Sequence, residues 1–592
     1  MNLLLLLIII IPFFSALIIG VLPRLSENVV SIVNGSVLTT EILMTVSLLI
    51  MWAFSGFVPL EAQWGNIYQH ADYSFPLVFY LDGYGAIYLS LVTLLSNVTA
   101  KYSRYYLHRE EGYRRYFVLI MLLVAGCNLL AIAGTLDLLF AGWELVGFSS
   151  FLLVAFYWRR QRSAQNALSI FIIYRICDVG LLASTMLTHV VWAEGDRFFY
   201  LSQYSSQTLF GAGIIIPIIG GLIVFSCLGK SAQFPFLNWL PRAFEGPTPS
   251  SAIFYGSLSI HAGVFLLIRS EPLWAPYLGL KLAIFVIGLC SAAIASIIGR
   301  TLSNIKGQIA YAAIAQVGVM FMEISLGLKQ VAIVHMLLHA FLRAYQILIS
   351  PSVVSHLLKI VDSTPAPKKF IPNTRIAKEL YRVSLADFYL WPSILTLKFL
   401  RNLKERWVIS FFGFIGLSLL IFSNAGLLAI QPTKLPSIFL GIITLSVSVI
   451  ANWKGQSLPR IWALVGFSML LGVATLFTLD HSRENFTHMI FYVLCFSAWI
   501  CGWFSVKSFG SLSIDEYHGL FVKKKKASLV FLGVFIVLVS IPLSPTFAAE
   551  DLLLHWTYEK SKFVTILIAT SCTFVSIATG RILARVCFGK ST

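Results

Sequence analysis

Five groups of residues are of types that could handle ions, and all lie within or beside apolar runs. Glu144 sits in LDLLFAGWELVGFSSFLLVAF, which is apolar apart from Asp137 near its start. An ionised carboxylate there costs about 2.5–3.5 kcal/mol on insertion scales unless it is paired or faces water. Lys230, close behind another apolar run, is the partner type, because a lysine held away from water can release and regain a proton near neutral pH. Together they form a switch: paired, Lys230 keeps its proton, and when a neighbouring charge draws Glu144 away it lets go. A static ion pair fixing two helices is the competing reading. Arg175 and Asp178 are three apart in IFIIYRICDVGLLAS, so they share a helix face and can satisfy each other or bias Glu144. Lys306 opens IKGQIAYAAIAQVGVMFMEISLG, with Gln308, Tyr311, Gln316 and Glu323; it belongs to the same path or snorkels to the interface. His335, His339 and Arg343 in VHMLLHAFLRAYQ are spaced i, i+4, i+8, so they form one stripe along which the histidines could hand on a proton. Arg343 cannot deprotonate and can only tune them. The same spacing could hold a metal, but no carboxylate or third ligand accompanies it in the sequence. The chemistry this set can do is to move protons, or sodium, through a bilayer.

The elements that must position these residues are membrane spans. Of 592 residues, 58% are hydrophobic and only 12% charged, and the mean hydropathy is +0.83, so the bilayer is the solvent. Hydropathy places spans near 2–23, 30–54, 76–99, 116–134, 136–157, 166–190, 210–232, 249–269, 278–299, 303–325 and 330–358, then 407–429, 435–452, 461–479, 486–507, 527–548 and 562–584. That makes an all-α polytopic bundle of about seventeen spans. Met1 to Leu22 lacks a basic leader and a cleavage site and reads as a retained span. The organisation is a core over 1–360, a basic cytoplasmic stretch plus four further spans over 361–526, and a closing segment over 527–592.

A net charge of +17 could suggest nucleic acid, but the basic residues fall in short loops, as the positive-inside rule requires. No nucleic-acid partner is expected. The clusters include Lys101/Arg104/Arg109, Arg159/Arg160/Arg162 and Lys523 to Lys526, whereas Gly56 to Phe75 carries Glu61 and Asp72 and no Lys or Arg. This puts the N-terminus outside and the C-terminus in the cytoplasm of a cell inner membrane. The eight cysteines lie singly with no C-x-x-C pair, so no disulfide framework, zinc or iron–sulfur site is indicated, and no cofactor is expected in this chain.

Two stretches break the span pattern. In SCLGKSAQFPFLNWLPRAFEGPTP, Lys230 is followed by Pro235, Pro241, Pro247 and Pro249. Proline removes a backbone donor, so a discontinuous helix is expected, tolerated only where protein or water satisfies the freed groups. In SIPLSPTFAAEDLLLH, Pro542 and Pro545 precede Glu550 and Asp551. Broken helices at the midplane mark ion sites, and one in each half is what an inverted repeat would produce.

GWELVG, YRICDVG, GKSAQFPFLNWLPRAFEGPTPSSA, IKGQIAYAAIAQVG and HMLLHAFLRAYQ resemble the antiporter-like subunits of respiratory complex I (subunit 5 or L type) and the related cation/proton antiporters. The resemblance implies proton translocation along a central hydrophilic axis, with Glu144 and Lys230 as the coupled pair and Lys306, His335 and His339 further along. There are departures. Where relatives carry a histidine after GPTP this chain has Tyr255, with His261 six residues on; the second-half lysine is Arg343; the second broken helix comes late, with Glu550 or Asp551 in its ionisable place. These features look like the DabB-type subunits of inorganic-carbon uptake complexes. That resemblance implies a proton-conducting subunit beside a large DabA-type partner, similar to a zinc β-carbonic anhydrase, which would hold the zinc. Other complex I subunits are the alternative partners.

Overall fold

The computed structural model describes residues 1–22, 25–70, 73–191, 197–198, 214–302, 304–350, 434–453, 455–479, 490–542 and 544–590. Its described chain divides into two units. The first comprises Met1–Ile67, Pro76–Phe156 and Gly180–Tyr389, the second Tyr68–Phe75, Tyr157–Val179 and Leu390–Thr592. Residues 157–179 thus group with the C-terminal stretch.

Helices α1 (Asn2–Val21) and α2 (Glu27–Phe54) of the first unit lead to strands β1 (Leu60–His70) and β2 (Tyr73–Leu81), which pair as a two-stranded sheet whose Tyr68–Phe75 end groups with the second unit. The expected span at 76–99 is therefore corrected: residues up to Leu81 are strand, and α3 runs over Gly83–Tyr106. PLVFYL is a short apolar run that suits strand and helix alike. The boundary is set by Asp82, whose carboxylate accepts from the Gly85 amide at 2.8 Å as an N-cap. Then come α4 (Tyr113–Ile132), α5 (Leu136–Val154) and α6 (Gln161–Val191), whose first part belongs to the second unit.

Helix α7 (Ile215–Lys230) stops at the expected break. After it, α8 (Thr248–Ile253), a π turn over Phe254–Leu258 and α9 (Ser259–Arg269) form one interrupted span. Helices α10 (Leu278–Thr301), α11 (Ile305–Ser325) and α12 (Lys329–Ile349) complete the unit's described residues.

The second unit contains α13 (Leu435–Ile450), α14 (Leu458–Leu479), α15 (Ile490–Phe509), α16 (Lys525–Leu538), α17 (Thr546–Lys560) and α18 (Lys562–Ile582). Among the described residues thirteen helices are long and apolar enough to cross a membrane. Four expected spans account for the difference from seventeen: α7 and α13 are shorter, 527–548 is split between α16 and α17, and 407–429 lies outside the described residues, as does the basic stretch before it.

Lipid offers helices no hydrophobic incentive to associate, so close approach through small residues holds them together. A Cβ on Gly142 of α5 would stand 2.8 Å from the Leu130 backbone nitrogen of α4, and one on Gly288 of α10 would meet the Gly318 carbonyl of α11 at 2.5 Å. In the second unit Gly466 and Gly502 make room for Trp499 and Trp462, whose rings stack. The outward faces are apolar. On α10, Leu278, Leu282, Val286 and Leu289 are exposed, and on α12, Val331, Val334, Leu338 and Leu342.

Candidate functional site

In the first unit the break after Lys230 is built, not ragged. Ala232 takes a left-handed φ of 51°, the Gln233 amide reaches back to the Leu228 carbonyl at 2.9 Å, and the chain turns out of the helix. The groups this frees are satisfied by protein: the Trp239 indole donates to the Gly229 carbonyl at 2.8 Å, Ser291 Oγ accepts from the Phe234 amide at 2.9 Å, and the Gln233 amide side chain donates to the Ser231 carbonyl at 2.9 Å. The expected discontinuous helix is present, with the internal satisfaction that membrane depth demands.

Lys230 is 1% exposed at the end of α7. Its Nζ donates to the Trp143 carbonyl at 2.9 Å and lies 4.9 Å from the centre of that indole. Glu144, also buried, is the next residue along α5. The ammonium is thus seated on the helical turn that carries the carboxylate, within a cation–π contact that suits a desolvated cation.

A second group is centred on α12. Arg343 Nε donates to His339 Nε2 at 3.0 Å; His339 Nδ1 and His261 Nε2 are 2.9 Å apart; His261 Nδ1 bonds the Ser257 carbonyl. Its two ends fix every proton. A guanidinium only donates and a carbonyl only accepts, so neutral His339 carries its hydrogen on Nδ1 and neutral His261 carries its own on Nδ1. All hydrogen bonds in the row then point from Arg343 toward Ser257. The π turn at 254–258 immediately precedes the helix that brings His261 to α12.

His335 stands slightly apart. Its Nδ1 meets Glu323 at 3.0 Å and its Nε2 the Gln316 side chain at 3.0 Å, while its ring centre is 6.2 Å from that of His339. The absence of a carboxylate near the histidine stripe, read from the sequence, is therefore corrected: Glu323 reaches His335 from α11, a neighbour that spacing along α12 alone could not show. No group of three or more metal-ligating side chains occurs among the described residues. Lys306 points inward, donating to Thr248 Oγ1 at 2.9 Å, and Thr248 in turn meets the Tyr106 hydroxyl at 3.0 Å.

The remaining candidates lie in the second unit. Arg175 and Asp178 pair at 3.6 Å, and Arg175 reaches the Val539 carbonyl at 3.5 Å, at the end of α16. This second break repeats the first. Ser540 has a left-handed φ of 54°, and the Ile541 amide bonds the Ile536 carbonyl as Gln233 bonds Leu228. In this register Leu538 occupies the place of Lys230. The Ser540 hydroxyl bonds Glu550, which lies in the field of Arg175. Asp551, next to it, is buried.

Several buried ionisable residues were not among the sequence candidates. Asp137 pairs with His189 at 2.6 Å, and Arg269 with Asp82 at 2.8 Å. Glu41 on α2 is fully buried. In the second unit Tyr492, Cys495 and Cys572 line a cavity of about 20 Å³, room for about one water, near Glu550. Their signal was the lone acidic letter in a stretch without other charges, which Asp137 and Glu41 both give.

The profile of the NADH:quinone oxidoreductase/Mrp antiporter transmembrane family matches residues 133–418 and 463–576, more than half of the chain. The chain belongs to this family. A second profile, the N-terminus of chain 5 of NADH-ubiquinone oxidoreductase (complex I), matches residues 67–117. Similar relatives include the chloroplastic NAD(P)H-quinone oxidoreductase subunit 5 of Gossypium barbadense, 29% identical over 371 residues, covering 55% of this chain and 48% of the relative. Chain 5 of the enzyme from Synechocystis sp. is 31% identical over 318 residues, covering 51% and 46%. The NADH-ubiquinone oxidoreductase chain 5 of Petromyzon marinus is 32% identical over 287 residues, covering 48% and 47%. The chain spans about half the length of these curated relatives. Among solved structures, the Mrp complex from Dietzia sp. superposes with a TM-score of 0.52 at 16% identity, covering 92% of this chain and 75% of that one. An archaeal membrane-bound sulfane sulfur reductase gives 0.50 at 17%, covering 58% and 55%. These two share the fold of this antiporter-family member, a polytopic helical membrane protein.

Proposed function

We propose that this chain is a proton-translocating membrane subunit of a multi-subunit complex of the NADH:quinone oxidoreductase or Mrp antiporter type. The observation that carries it is the buried Lys230 ammonium, seated on the Trp143 carbonyl beside buried Glu144 at the mouth of a broken helix. A buried cation without an opposing carboxylate is costly, so any displacement of Glu144 shifts the balance toward releasing the lysine's proton. His261 and His339 are the next carriers, and Lys306 serves where its amine meets Thr248. A membrane potential supplies about 2.3 kcal/mol per charge per 100 mV, enough to bias such transfers. The basic loops face the cytoplasm in this reading, and the likeness to subunits of larger assemblies supports the placement among other membrane subunits.

The complex purified from its native membrane and reconstituted with an internal pH dye tests this. Proton flux that disappears in Lys230→Met, with assembly intact, is expected; wild-type flux in that variant overturns it. Flux that follows sodium instead of protons would redirect the assignment to sodium.

A second reading, the proton-conducting subunit of an inorganic-carbon uptake complex, rests on Tyr255, Arg343 and the late broken helix. It has less support, because the relatives and profiles above are named for quinone oxidoreductases and Mrp antiporters. Copurification with a soluble zinc protein and growth rescued by elevated CO₂ in a deletion strain would favour it; copurification with flavin and iron–sulfur subunits would reject it.

A further inference from the structure

Helix α2 carries a carboxylate that neither the Lys230 pair nor the histidine row uses. Glu41 is the fifteenth of 28 residues in α2 and is 0% exposed. At 1.5 Å per residue it lies about 20 Å from either end of the helix, which is mid-bilayer for a spanning segment. Asn128 of α4 donates to Glu41 Oε1 at 3.2 Å and to the Ile8 carbonyl of α1 at 3.0 Å, so three helices meet at this level. Glu41 Oε2 has no protein partner, and among the described residues no cation pairs with the group. Asn34 Oδ1 and Thr45 Oγ1, on the same buried stripe of α2, and Asn128 Oδ1 are likewise buried acceptors without a protein donor.

A cavity approaches it, with Thr40, the residue before Glu41, in its lining. Between α2 and α3 lies a cavity of about 510 Å³, lined by Asn34, Leu38, Thr39, Asn97, Lys101 and Arg104. Lys101 and Arg104 stand near the end of α3 on the basic side, and Leu38 is one turn below Glu41. The charges that face the site are few. None lies on α1; α2 contributes Glu27, tied to His108, and α4 contributes Tyr113, Arg114 and Arg115 near its start, with Cys127 beside Asn128. A carboxyl this deep with no counter-charge must hold a proton or a cation. Lys101 and Arg104 at the mouth repel free cations, which favours the proton as occupant.

We propose that Glu41 is a second proton-binding site, loaded from the basic face through the α2–α3 cavity and separate from the Lys230–Glu144 pair and the histidine row. The test is dicyclohexylcarbodiimide labelling of the native complex in its membrane. A neutral carboxyl adds its O–H across the reagent's C=N bond, giving an O-acylisourea that rearranges to a stable N-acylurea detectable on the peptide by mass spectrometry. Glu41 is expected to carry this adduct, equally with sodium or potassium in the buffer, and to carry it still in Lys230→Met. Glu41→Gln, which keeps an acceptor for Asn128, should lose the adduct while the complex stays assembled. Labelling suppressed by sodium would make this a cation site and overturn the proposal, as would an unlabelled Glu41 in a complex whose other buried carboxyls react. Persistence of the label in Lys230→Met separates this result from the fate of the transport assignment itself.

Discussion

Arg343 holds the Nε2 of His339 with its own Nε–H at 3.0 Å, from one turn further along the same helix. That nitrogen is where an incoming proton would have to land, because Nδ1 already carries the hydrogen shared with His261. Arginine cannot give up its proton, so in the proposed proton path this contact disfavours a charge on His339 and closes the row until the guanidinium turns away. Gln346, which accepts from Arg343 Nη1 at 2.7 Å, helps hold it in this position.

Replacing Arg343 with Gln should therefore open the row. A hydrogen bond to a charged group contributes about 1.5–3 kcal/mol, and its loss should raise passive proton leak through the reconstituted complex about tenfold or more. Dye-monitored leak under an imposed potential measures it. Leak at or below wild type would mean that Arg343 does not close the path.

Lys230→Arg makes a sharper probe than Lys230→Met. Arginine keeps the charge and can reach a carbonyl, but it does not deprotonate. Flux should stay abolished in Lys230→Arg with the helix break undisturbed, as judged by assembly and thermal stability. Restored flux would show that the residue supplies charge only.

The sequence disclosed the two broken helices because prolines announce them, and it disclosed Lys230, Glu144 and the histidine stripe because charge in an apolar run has few explanations. It hid whatever depended on a neighbour from another part of the chain. Glu323 on His335 and His261 on His339 come from helices whose register the α12 spacing does not encode. The β2 strand was hidden for a different reason: PLVFYL satisfies both periods, and only the Asp82 cap decides between them. The repeated cap at Ala232 and Ser540 lies in backbone dihedrals that neither residue type favours, so no letter in the sequence marked it.

Gly142→Ala should show that the position of Glu144 depends on the α4–α5 contact. The added methyl would meet Leu130 N at 2.8 Å and Gly126 O at 2.9 Å, both backbone atoms that cannot step aside. Overpacking of this kind costs about 1–3 kcal/mol. A lower thermal midpoint and slower flux are expected, whereas Gly279→Ala, with nothing within 4 Å, should leave both unchanged.

The Asp82–Arg269 pair is a structural counterpart to the Lys230 site. Arg269 is buried among the rings of Tyr80, Phe198 and Phe265. Removing one member of a buried pair costs about 3–5 kcal/mol because the other is stranded. Arg269→Met should destabilise by that order, and adding Asp82→Asn, which preserves the N-cap of α3, should recover part of it. A double variant as unstable as the sum of the singles would show that the two charges are not coupled.

Ala232 and Ser540 occupy the same left-handed position, yet substitution by glycine should act on them with opposite sign. A left-handed residue with a Cβ costs roughly 1–2 kcal/mol that glycine avoids. At Ala232 the relief is offset only by one buried methyl, about 0.8 kcal/mol, so Ala232→Gly should be neutral or slightly stabilising. At Ser540 the same relief comes with loss of the hydroxyl that bonds Glu550, and a buried group left without its partner costs about 1–3 kcal/mol. Ser540→Gly should then lower the thermal midpoint of the solubilised complex and disturb Glu550, while Ala232→Gly does neither. Equal effects at the two sites would mean that the Ser540 hydroxyl serves the turn alone and has no part in holding Glu550.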